Sequence, residues 1–321
     1  MSERPDTSRS VCDKLLAQLG PMKCQWTRRD ALLAMGAALA TACAERAGSA
    51  PGAVARAGEE PDPFAEIARS AEGRVGVFAL DTGSGNHLAH REDERFAMCS
   101  TFKWALVAAV LARVDGGGLS LYEPVRYGES DLLEYAPTTR DHVSDGSLTI
   151  EALARAAITN SDNTAANLLL AKVDGPAGLT QFFRKLGDPV TRLDRNEPSL
   201  NTNVRGDVRD TTSPQAMVSL MQSVLCGNVL SPGSRARLIG WLNACQTGRE
   251  RLRAGLPAGW AVGDKTGTGL GGAVNDVAIV VPPRRSPILI ASYLSDGTLS
   301  LPLLNATHAE IGRIVAKHLA P

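Results

Sequence analysis

Strand-like segments lie near the two ends of this chain, and helix-compatible segments fill the middle. Apolar runs bounded by turn-forming residues predict strands over residues 75–80, 86–90, 260–265, 273–281 and 287–294. Capping residues and apolar periodicity predict helices over residues 101–114, 149–158, 164–173, 176–186, 213–226 and 234–244. Thr149 and Ser213 are expected to cap two of these helices, and Asn305 to cap a last helix. Residues 119–147 show no regular pattern. We therefore predict an α+β fold, in which one antiparallel sheet is built from both termini, flanked by helices, with a mainly helical lobe inserted between the strands.

The charge balance restricts the partners of the chain. Its 321 residues include 34 basic and 34 acidic side chains, so the net charge is close to zero. That balance argues against a nucleic-acid or anionic-membrane partner. No apolar run reaches the length of about 18 residues that a membrane-spanning helix needs. With 44% hydrophobic residues, the chain can bury a large core, and we expect a monomer with one domain of two lobes.

The first 62 residues resemble targeting and linker sequence. Arg28 and Arg29 precede the apolar, alanine-rich stretch 33–42, which is the pattern of a twin-arginine export signal. We expect residues 1–43 to form a tail and signal that export machinery recognises, residues 44–62 a linker, and the protein to be periplasmic or secreted. A disordered tail is the alternative, and Met22 is an alternative start. Cys43 lies in a poor lipoprotein context, so no lipid anchor is expected there.

The expected folded domain covers residues 63–320. Its α/β lobe is expected to comprise about residues 63–98 and 245–320, and its helical lobe about residues 99–244. Of six cysteines, three lie in this region: Cys99, Cys226 and Cys245. Their odd number and their spacing fit no metal site, so we interpret them as buried thiols and expect no metal or cofactor.

The first motif whose side chains can take part in a reaction is Ser100-Thr101-Phe102-Lys103. One helical turn separates Ser100 from Lys103, so both side chains project to the same side. Serine becomes a strong nucleophile only when a neighbour accepts its proton. Lys103 can do so if burial lowers its pKa, and the apolar residues around it predict a buried helix. An exposed Ser-Lys pair on a helix surface is the alternative.

The second motif is Ser161-Asp162-Asn163, between two predicted helices. Ser161 can pass a proton to a leaving nitrogen, and Asn163 can bind an amide of a ligand. Asp162 is expected to hold the loop through backbone hydrogen bonds. Taken alone, the motif is equally typical of an ordinary turn and helix cap.

The third motif, Lys265-Thr266-Gly267-Thr268-Gly269, ends a predicted strand. Gly267 allows a ligand to lie close to the backbone. Thr266 and Thr268 offer hydroxyls to a carboxylate, and Lys265 offers positive charge. The backbone N–H groups of Thr268 and Ser100 could together bind an oxyanion. A strand end with a surface lysine is the alternative.

The fourth motif surrounds Glu197 in residues 191–211, a segment without a regular pattern that we call the Glu197 loop. Ordered loops of this length are usually functional. Glu197 and Asn201 can hold a water molecule between them, and the carboxylate could deprotonate it. Arg195 and Asp210 bracket the loop and are predicted to pair at its neck. A solvated glutamate in a polar loop is the alternative.

The four motifs, in this order and spacing over about residues 63–320, resemble those of the class A serine β-lactamases. The sequences of residues 162–169, 209–212 and 275–276 also resemble this family. The resemblance implies that the lactam carbonyl acylates Ser100 and that Ser161 protonates the lactam nitrogen. It also implies that Glu197, with Asn201, activates the deacylating water. Lys103 and Glu197 both remain candidates for the acylation base.

Two further residues enter only through the resemblance. Tyr135 matches the aromatic residue at the site entrance of the family, and Arg235 aligns with an arginine that supports the carboxylate pocket in some members. Cys99 precedes the nucleophile, as in several carbapenem-hydrolysing members. Those members pair it with a cysteine at the position that Gly269 holds here, so strong carbapenem hydrolysis is not expected.

Two rivals share part of the motif set. A penicillin-binding D-alanyl-D-alanine peptidase would be acylated in the same way but would lack the Glu197 loop. A non-catalytic β-lactam sensor would need a signalling domain or a membrane helix, and neither is recognisable in the sequence. The sequence therefore favours a hydrolase of penicillin- or cephalosporin-type antibiotics.

Overall fold

The computed structural model describes residues 62–321. The predicted export signal and almost all of the predicted linker lie outside these residues. Within them, the central element is a five-stranded antiparallel sheet. Its strands are β1 (Arg74–Asp81), β2 (His87–His90), β7 (Ala261–Thr268), β8 (Val274–Val281) and β9 (Ile288–Ser295), in the spatial order β2-β1-β9-β8-β7. The first two come from the amino-terminal part and the last three from the carboxyl-terminal part, which confirms the predicted α+β fold.

The two ends of the chain meet where β1 pairs with β9. Val75 lies opposite Leu294, and Leu80 lies opposite Leu289. On the other side of β9, β8 places Val277 opposite Ala291 and pairs in turn with β7. Every residue of β9 is buried, because both faces of the sheet are covered. A doubly covered strand has a continuous apolar sequence instead of an alternating one.

One face of the sheet is covered by terminal helices. They are α1 (Ala65–Ser70) and α10 (Leu301–Leu319), with the short α9 (Leu252–Gly255) packed against α10. The prediction that Asn305 caps the last helix was wrong. The helix begins at Leu301 with Pro302 in its first turn, and proline is favoured in a first turn because it has no N–H to satisfy.

The other face of the sheet supports the helical part of the molecule. Its central helix, α2 (Phe102–Asp115), has its first ten residues all buried, as expected of a segment in which Lys103 is the one charged residue among apolar side chains. The surrounding helices are α3 (Pro137–Asp141), α4 (Ile150–Thr159), α5 (Asn163–Ala171), α6 (Gly175–Lys185), α7 (Pro214–Met221) and α8 (Pro232–Asn243). A π-helical turn, Gln222–Cys226, continues α7.

Residues 119–147 contain more structure than their sequence predicts. Besides α3 they contribute β4 (Pro124–Arg126) and the first residue of its partner β5 (Ser147–Thr149), and the two strands form a separate small sheet. Another small sheet pairs β3 (Phe96–Ala97) with β6 (Thr211–Thr212). Strands of two or three residues are too short for a period of two to be recognised in a sequence. None of the helices within residues 62–321 combines the length and apolar character that crossing a bilayer requires.

Candidate active site

Ser100 lies in a single 3₁₀ turn, Cys99–Thr101, that leads directly into α2. The turn lies against the end of β7. A Cβ atom on Gly267 would lie 2.7 Å from the carbonyl oxygen of Met98 and 3.2 Å from the nitrogen of Ser100. Only glycine allows so close an approach. The Ser100 hydroxyl donates a hydrogen bond to Oε1 of Glu197 over 3.1 Å.

Lys103 lies one turn further along α2, and its side chain is fully buried. Its Nζ atom lies 3.0 Å from Oε1 of Glu197. It also donates to Oδ1 of Asn163 over 2.5 Å and to the carbonyl of Ser161 over 2.8 Å. Burial lowers the pKa of Lys103, and the Glu197 carboxylate opposes that shift. One carboxylate oxygen therefore contacts both the serine hydroxyl and the lysine ammonium group.

Ser161 lies between the two lysines of the site. Its hydroxyl accepts from Nζ of Lys265 over 3.0 Å and from Nζ of Lys103 over 3.4 Å. Its backbone has a φ of 59°, in the left-handed region. The next residue, Asp162, fixes this conformation, since its carboxylate accepts from the backbone N–H groups of Thr139 and Ala165. Asp162 is thus the N-cap of α5 and holds the loop, as predicted from the sequence.

Lys265 is fully buried near the end of β7. Burial lowers its pKa to about 8, and the nearby Lys103 charge contributes in the same direction. Beside it, the hydroxyl of Thr266 lies 2.5 Å from that of Thr247. Thr268, at the end of β7, is exposed. The strand therefore presents one positive charge and two hydroxyls along the cleft.

Asn167 fixes the backbone of Glu197. Its Nδ2 donates to the Glu197 carbonyl over 2.9 Å, and its Oδ1 accepts from the Glu197 N–H over 3.0 Å. Oε2 of Glu197 accepts from Nδ2 of Asn201 over 2.6 Å. At the neck of the loop, Nε of Arg195 donates to Oδ2 of Asp210 over 2.5 Å. The ion pair predicted at the neck is therefore present.

The structure does not bring Arg235 to the site. Its guanidinium group donates to the carbonyl of Gly227, at the start of the α7–α8 connection. A different residue, Arg251, reaches the cleft. Its side chain donates to the hydroxyl of Thr268 over 2.7 Å and to the carbonyl of Gly267 over 2.9 Å. Arg251 thus lies beside Thr268, where Arg235 was expected from the sequence.

Together these residues surround an open cleft of about 330 Å³. Tyr135 lies at its mouth with 52% of its surface exposed. The lining residues are Ser100, Tyr135, Ser161, Asn163, Asn201, Thr247, Arg251, Thr266 and Thr268. Within residues 62–321 no group of three or more His, Cys, Asp or Glu side chains is placed to hold a metal ion.

Sequence reasoning missed three residues of the site: Asn167, Thr247 and Arg251. Asn167 had a usable signal, because it follows Asn163 by four residues on the same helix and therefore lies on the same face. Arg251 and Thr247 had none. They reach the cleft only because the segment between α8 and β7 folds back along the strand, so that Arg251 donates to the carbonyl of Asn275 on β8 over 2.7 Å.

The chain is similar to known proteins over most of its length. A family model described as "Beta-lactamase enzyme family" matches residues 62–319. The chain is 46% identical to the carbapenem-hydrolyzing β-lactamase KPC of Klebsiella oxytoca, over 72% of this chain and 79% of that protein. It is 45% identical to β-lactamase AST-1 of Nocardia asteroides, over 80% of this chain and 83% of that protein.

A solved structure supports the same relationship. The class A β-lactamase of the last common ancestor of Gram-negative bacteria, GNCA4, has a TM-score of 0.78 and 54% sequence identity. The alignment covers 80% of this chain and 97% of that one. With its fold and its site as described, the chain belongs to the class A β-lactamases.

Proposed function

We propose that this protein hydrolyses the β-lactam amide of penicillins and cephalosporins through an acyl-enzyme on Ser100, and that it thereby gives resistance to these antibiotics. The observation that carries the proposal is the position of the Glu197 carboxylate. One of its oxygens contacts the Ser100 hydroxyl and the Lys103 ammonium group, and the other contacts Asn201. A base in contact with both the nucleophile and a water-binding amide can serve acylation and hydrolysis in turn.

In acylation, the Ser100 oxygen attacks the lactam carbonyl and its proton passes to Glu197. The direct hydrogen bond between these two groups favours Glu197 over Lys103 as the acceptor. Lys103 then has a different role, since its ammonium group stabilises the carboxylate at 3.0 Å. The oxyanion that forms on the carbonyl is bound by the backbone N–H groups of Ser100 and Thr268.

The leaving nitrogen receives its proton from Ser161. The Ser161 hydroxyl is replenished by Lys103, 3.4 Å away. Lys103 regains a proton from the carboxylic acid of Glu197, so the proton taken from Ser100 ends on the lactam nitrogen. The C–N bond breaks in this step, and the acyl-enzyme remains with Glu197 as a carboxylate again.

Deacylation uses the other oxygen of the Glu197 carboxylate, Oε2, which contacts Asn201. Glu197 removes a proton from a water molecule that attacks the ester, and it returns this proton to the Ser100 oxygen, which leaves as a hydroxyl as the ester C–O bond breaks. Oδ1 of Asn201 is buried and accepts no hydrogen bond within residues 62–321. A buried acceptor without a partner is unfavourable, and a water molecule between Asn201 and Glu197 would satisfy it.

The substrate carboxylate is proposed to bind along β7. Lys265 supplies positive charge, Thr266 and Thr268 supply hydroxyls, and Arg251 adds a second cation beside Thr268. Gly267 lets the turn that carries Ser100 pack directly against this strand. Asn163 is proposed to bind the acylamino group of the substrate, and Tyr135 to contact it at the entrance.

The Glu197 loop separates the proposed hydrolase from its closest rival. A penicillin-binding peptidase needs the serine, its lysine and the threonine-lined strand, but not a carboxylate beside the nucleophile. A sensor that stays acylated needs no deacylating base either. The contact between Ser100 and Glu197 therefore favours turnover.

The surroundings of Cys99 support a substrate range without strong carbapenem hydrolysis. A Cβ atom on Gly269 would lie 2.6 Å from Sγ of Cys99, so the two positions face each other. Glycine offers no sulfur for a disulfide at this point. Burial raises the pKa of Cys99 to about 12, which leaves its thiol unreactive. The name of the Klebsiella relative describes carbapenem hydrolysis by that protein.

We also propose that the protein is exported as a folded monomer by a twin-arginine pathway and acts in the periplasm or outside the cell. Residues 1–43 would contain the signal and residues 44–62 the linker. The catalytic domain would span residues 63–320, with the lobe boundaries expected from the sequence. The Arg28-Arg29 pair before an apolar stretch supports this proposal.

The substitution Glu197→Gln tests the proposed function. The amide cannot accept a proton from water, so benzylpenicillin should form an acyl-enzyme that persists. Intact-mass spectrometry should then show an adduct for many times its wild-type lifetime. Glu134→Gln, at an exposed position near the cleft, is the matched control and should turn over normally. Rapid turnover by Glu197→Gln would remove Glu197 from its proposed role.

A further inference from the structure

We infer that Asn203 is a positioning residue for deacylation, because its side chain ties the Glu197 loop to the β7–β8 turn and to the end of β9. The inference rests on the proposed role of Glu197 and Asn201 in the same reaction. We call the three groups involved the clamp: the Asn203 side chain, the Gly271 carbonyl and the Ser295 hydroxyl.

The clamp consists of three hydrogen bonds. Nδ2 of Asn203 donates to the Gly271 carbonyl over 2.9 Å and to Oγ of Ser295 over 3.1 Å. The Ser295 hydroxyl donates back to Oδ1 of Asn203 over 3.2 Å. Ser295 is only 2% exposed, so the carboxamide is anchored on a rigid strand end. Both Nδ2 and Oδ1 of the Asn203 side chain are therefore hydrogen-bonded.

A backbone hydrogen bond extends the clamp toward the site. The N–H of Leu270 donates to the carbonyl of Asn201 over 2.9 Å. Asn201 and Asn203 are therefore tied to the same turn, one through its backbone and the other through its side chain. Asn203 has a φ of 45°, a left-handed conformation that asparagine tolerates better than most residues.

Beyond the clamp, this part of the loop is held by weaker contacts, such as the long ion pair of the exposed Arg205 with Asp296 at 3.8 Å. Residues 204–206 are all exposed, and Val204 has 60% of its surface exposed. Apolar packing therefore contributes little beyond Leu200. The neck pair of Arg195 and Asp210 fixes the ends of the loop, whereas the clamp fixes the segment that directly follows Asn201.

The consequence concerns the geometry of the proposed base. Nδ2 of Asn201 lies 2.6 Å from Oε2 of Glu197, and its free Oδ1 is the acceptor proposed for the attacking water. Only Thr202 separates Asn201 from Asn203, so a displaced Asn203 displaces the Asn201 amide. A shift of this kind misplaces the water while leaving Ser100, Lys103 and their contacts on α2 unchanged.

Two substitutions test the inference. Asn203→Asp keeps the size of the side chain but turns an oxygen toward the Gly271 carbonyl, where a donor is needed. Asn203→Gly keeps the left-handed backbone accessible and removes the side chain. Asn86→Asp, in the exposed β1–β2 turn, is the control. Each purified variant is mixed with benzylpenicillin, and the decay of the acyl-enzyme is followed by quenched-flow mass spectrometry beside steady-state kinetics.

The acyl-enzyme of both Asn203 variants should decay about tenfold more slowly, which corresponds to the net contribution of about one hydrogen bond. The acylation rate and kcat/KM should stay within about twofold of wild type, so kcat and KM should fall together. A merely structural role would lower the active fraction and reduce both steps alike.

Wild-type decay rates in both variants, or an equal loss in kcat/KM, would overturn the inference. Glu197→Gln separates this failure from failure of the proposed function. If its acyl-enzyme persists while the Asn203 variants behave as wild type, only the clamp is wrong. If Glu197→Gln turns over rapidly, the proposed deacylation mechanism itself fails.

Discussion

At the scale of single residues, Lys103 and Lys265 place two ammonium groups on opposite sides of the Ser161 hydroxyl. The Nζ–Oγ distances are 3.4 and 3.0 Å, respectively. Both lysines are fully buried, and burial lowers the pKa of each. The two lysines differ in whether a carboxylate contacts the ammonium group. Lys103 contacts the Glu197 carboxylate, whereas Lys265 donates to the carbonyl of Thr266 and to Ser161.

The lowered pKa of Lys265 predicts a pH dependence of substrate binding. Its charge is present below about pH 8 and is lost as the pH rises through that value. Because the proposed role of this charge is to bind the substrate carboxylate, KM for benzylpenicillin should rise about tenfold per pH unit above the pKa. Steady-state kinetics between pH 6 and pH 10 would measure this rise.

The control for this prediction is Lys265→Arg, since a guanidinium group keeps its charge throughout that range. Its KM should stay flat up to pH 10, whatever its absolute value. A flat KM for the wild type between pH 7 and pH 10 would show that Lys265 keeps its charge or is not needed for binding.

At the scale of elements, the Glu197 loop is held by polar contacts at its neck. Oδ1 of Asp210 accepts from the backbone N–H groups of Asp194 and Arg195 over 2.7 and 2.9 Å, while Oδ2 accepts from Nε of Arg195. The Asp210 side chain is fully buried. Three donors of the loop ends thus converge on the Asp210 carboxylate, which makes the neck sensitive to the charge of that group.

Asp210→Asn should loosen the loop without removing it. Oδ1 of asparagine can still accept from the two backbone N–H groups, but its NH₂ group would face Nε of Arg195, donor against donor. The free energy of unfolding should fall by about 3 kcal/mol, as for other buried ion pairs that lose one charge. Deacylation should slow more than acylation, because the loop carries Glu197 and Asn201.

Urea denaturation and acyl-enzyme decay measure these two effects. Glu310→Gln, which breaks an exposed pair with Arg313 on α10, is the control and should change stability by less than about 1 kcal/mol. An equal slowing of acylation and deacylation by Asp210→Asn would contradict the view that the neck acts through the loop.

Local signals in the sequence predicted most of the elements. Thr149 and Ser213 were expected to cap helices, and each side chain accepts from a backbone N–H three residues on. Caps can be predicted because the donor and the acceptor are close in sequence. The helix cap predicted at Asn305 is not formed. Asn305 lies in the second turn of α10, where its Oδ1 accepts from Arg251, a contact that spans 54 residues.

At the scale of the whole molecule, the order of strands and helices was enough to predict the sheet and its two covered faces. The motif residues were predictable because each motif is local, and the fold only brings the motifs together. Arg251 was not predictable, because its place depends on how the segment before β7 folds back on the sheet. The clamp of Asn203 could not be predicted either, since it joins residues that are 68 and 92 positions apart.

His308 links the stability of the whole molecule to pH. It lies fully buried between α10 and the sheet. Its Nε2 must donate to the carbonyl of Val274 at 3.0 Å, so its Nδ1 accepts from the Ser292 hydroxyl at 2.9 Å. Burial lowers the pKa of His308 to about 3, and the Arg251 charge contributes in the same direction. The folded protein therefore keeps this ring neutral at pH values where the unfolded chain protonates it.

A histidine with a depressed pKa contributes stability above the pKa of the unfolded state, and this contribution is lost as the pH falls from about 6.5 toward 3. Between pH 7 and pH 5, His308 should account for about 2 kcal/mol of the loss in unfolding free energy. Glutamine can keep both hydrogen bonds but cannot titrate, so His308→Gln should lose about 2 kcal/mol less than wild type over that interval. Urea denaturation at the two pH values measures the difference, with the exposed His318→Gln as the control that should follow wild type. If His308→Gln lost as much stability as wild type between pH 7 and pH 5, the buried ring would not be the group that resists protonation.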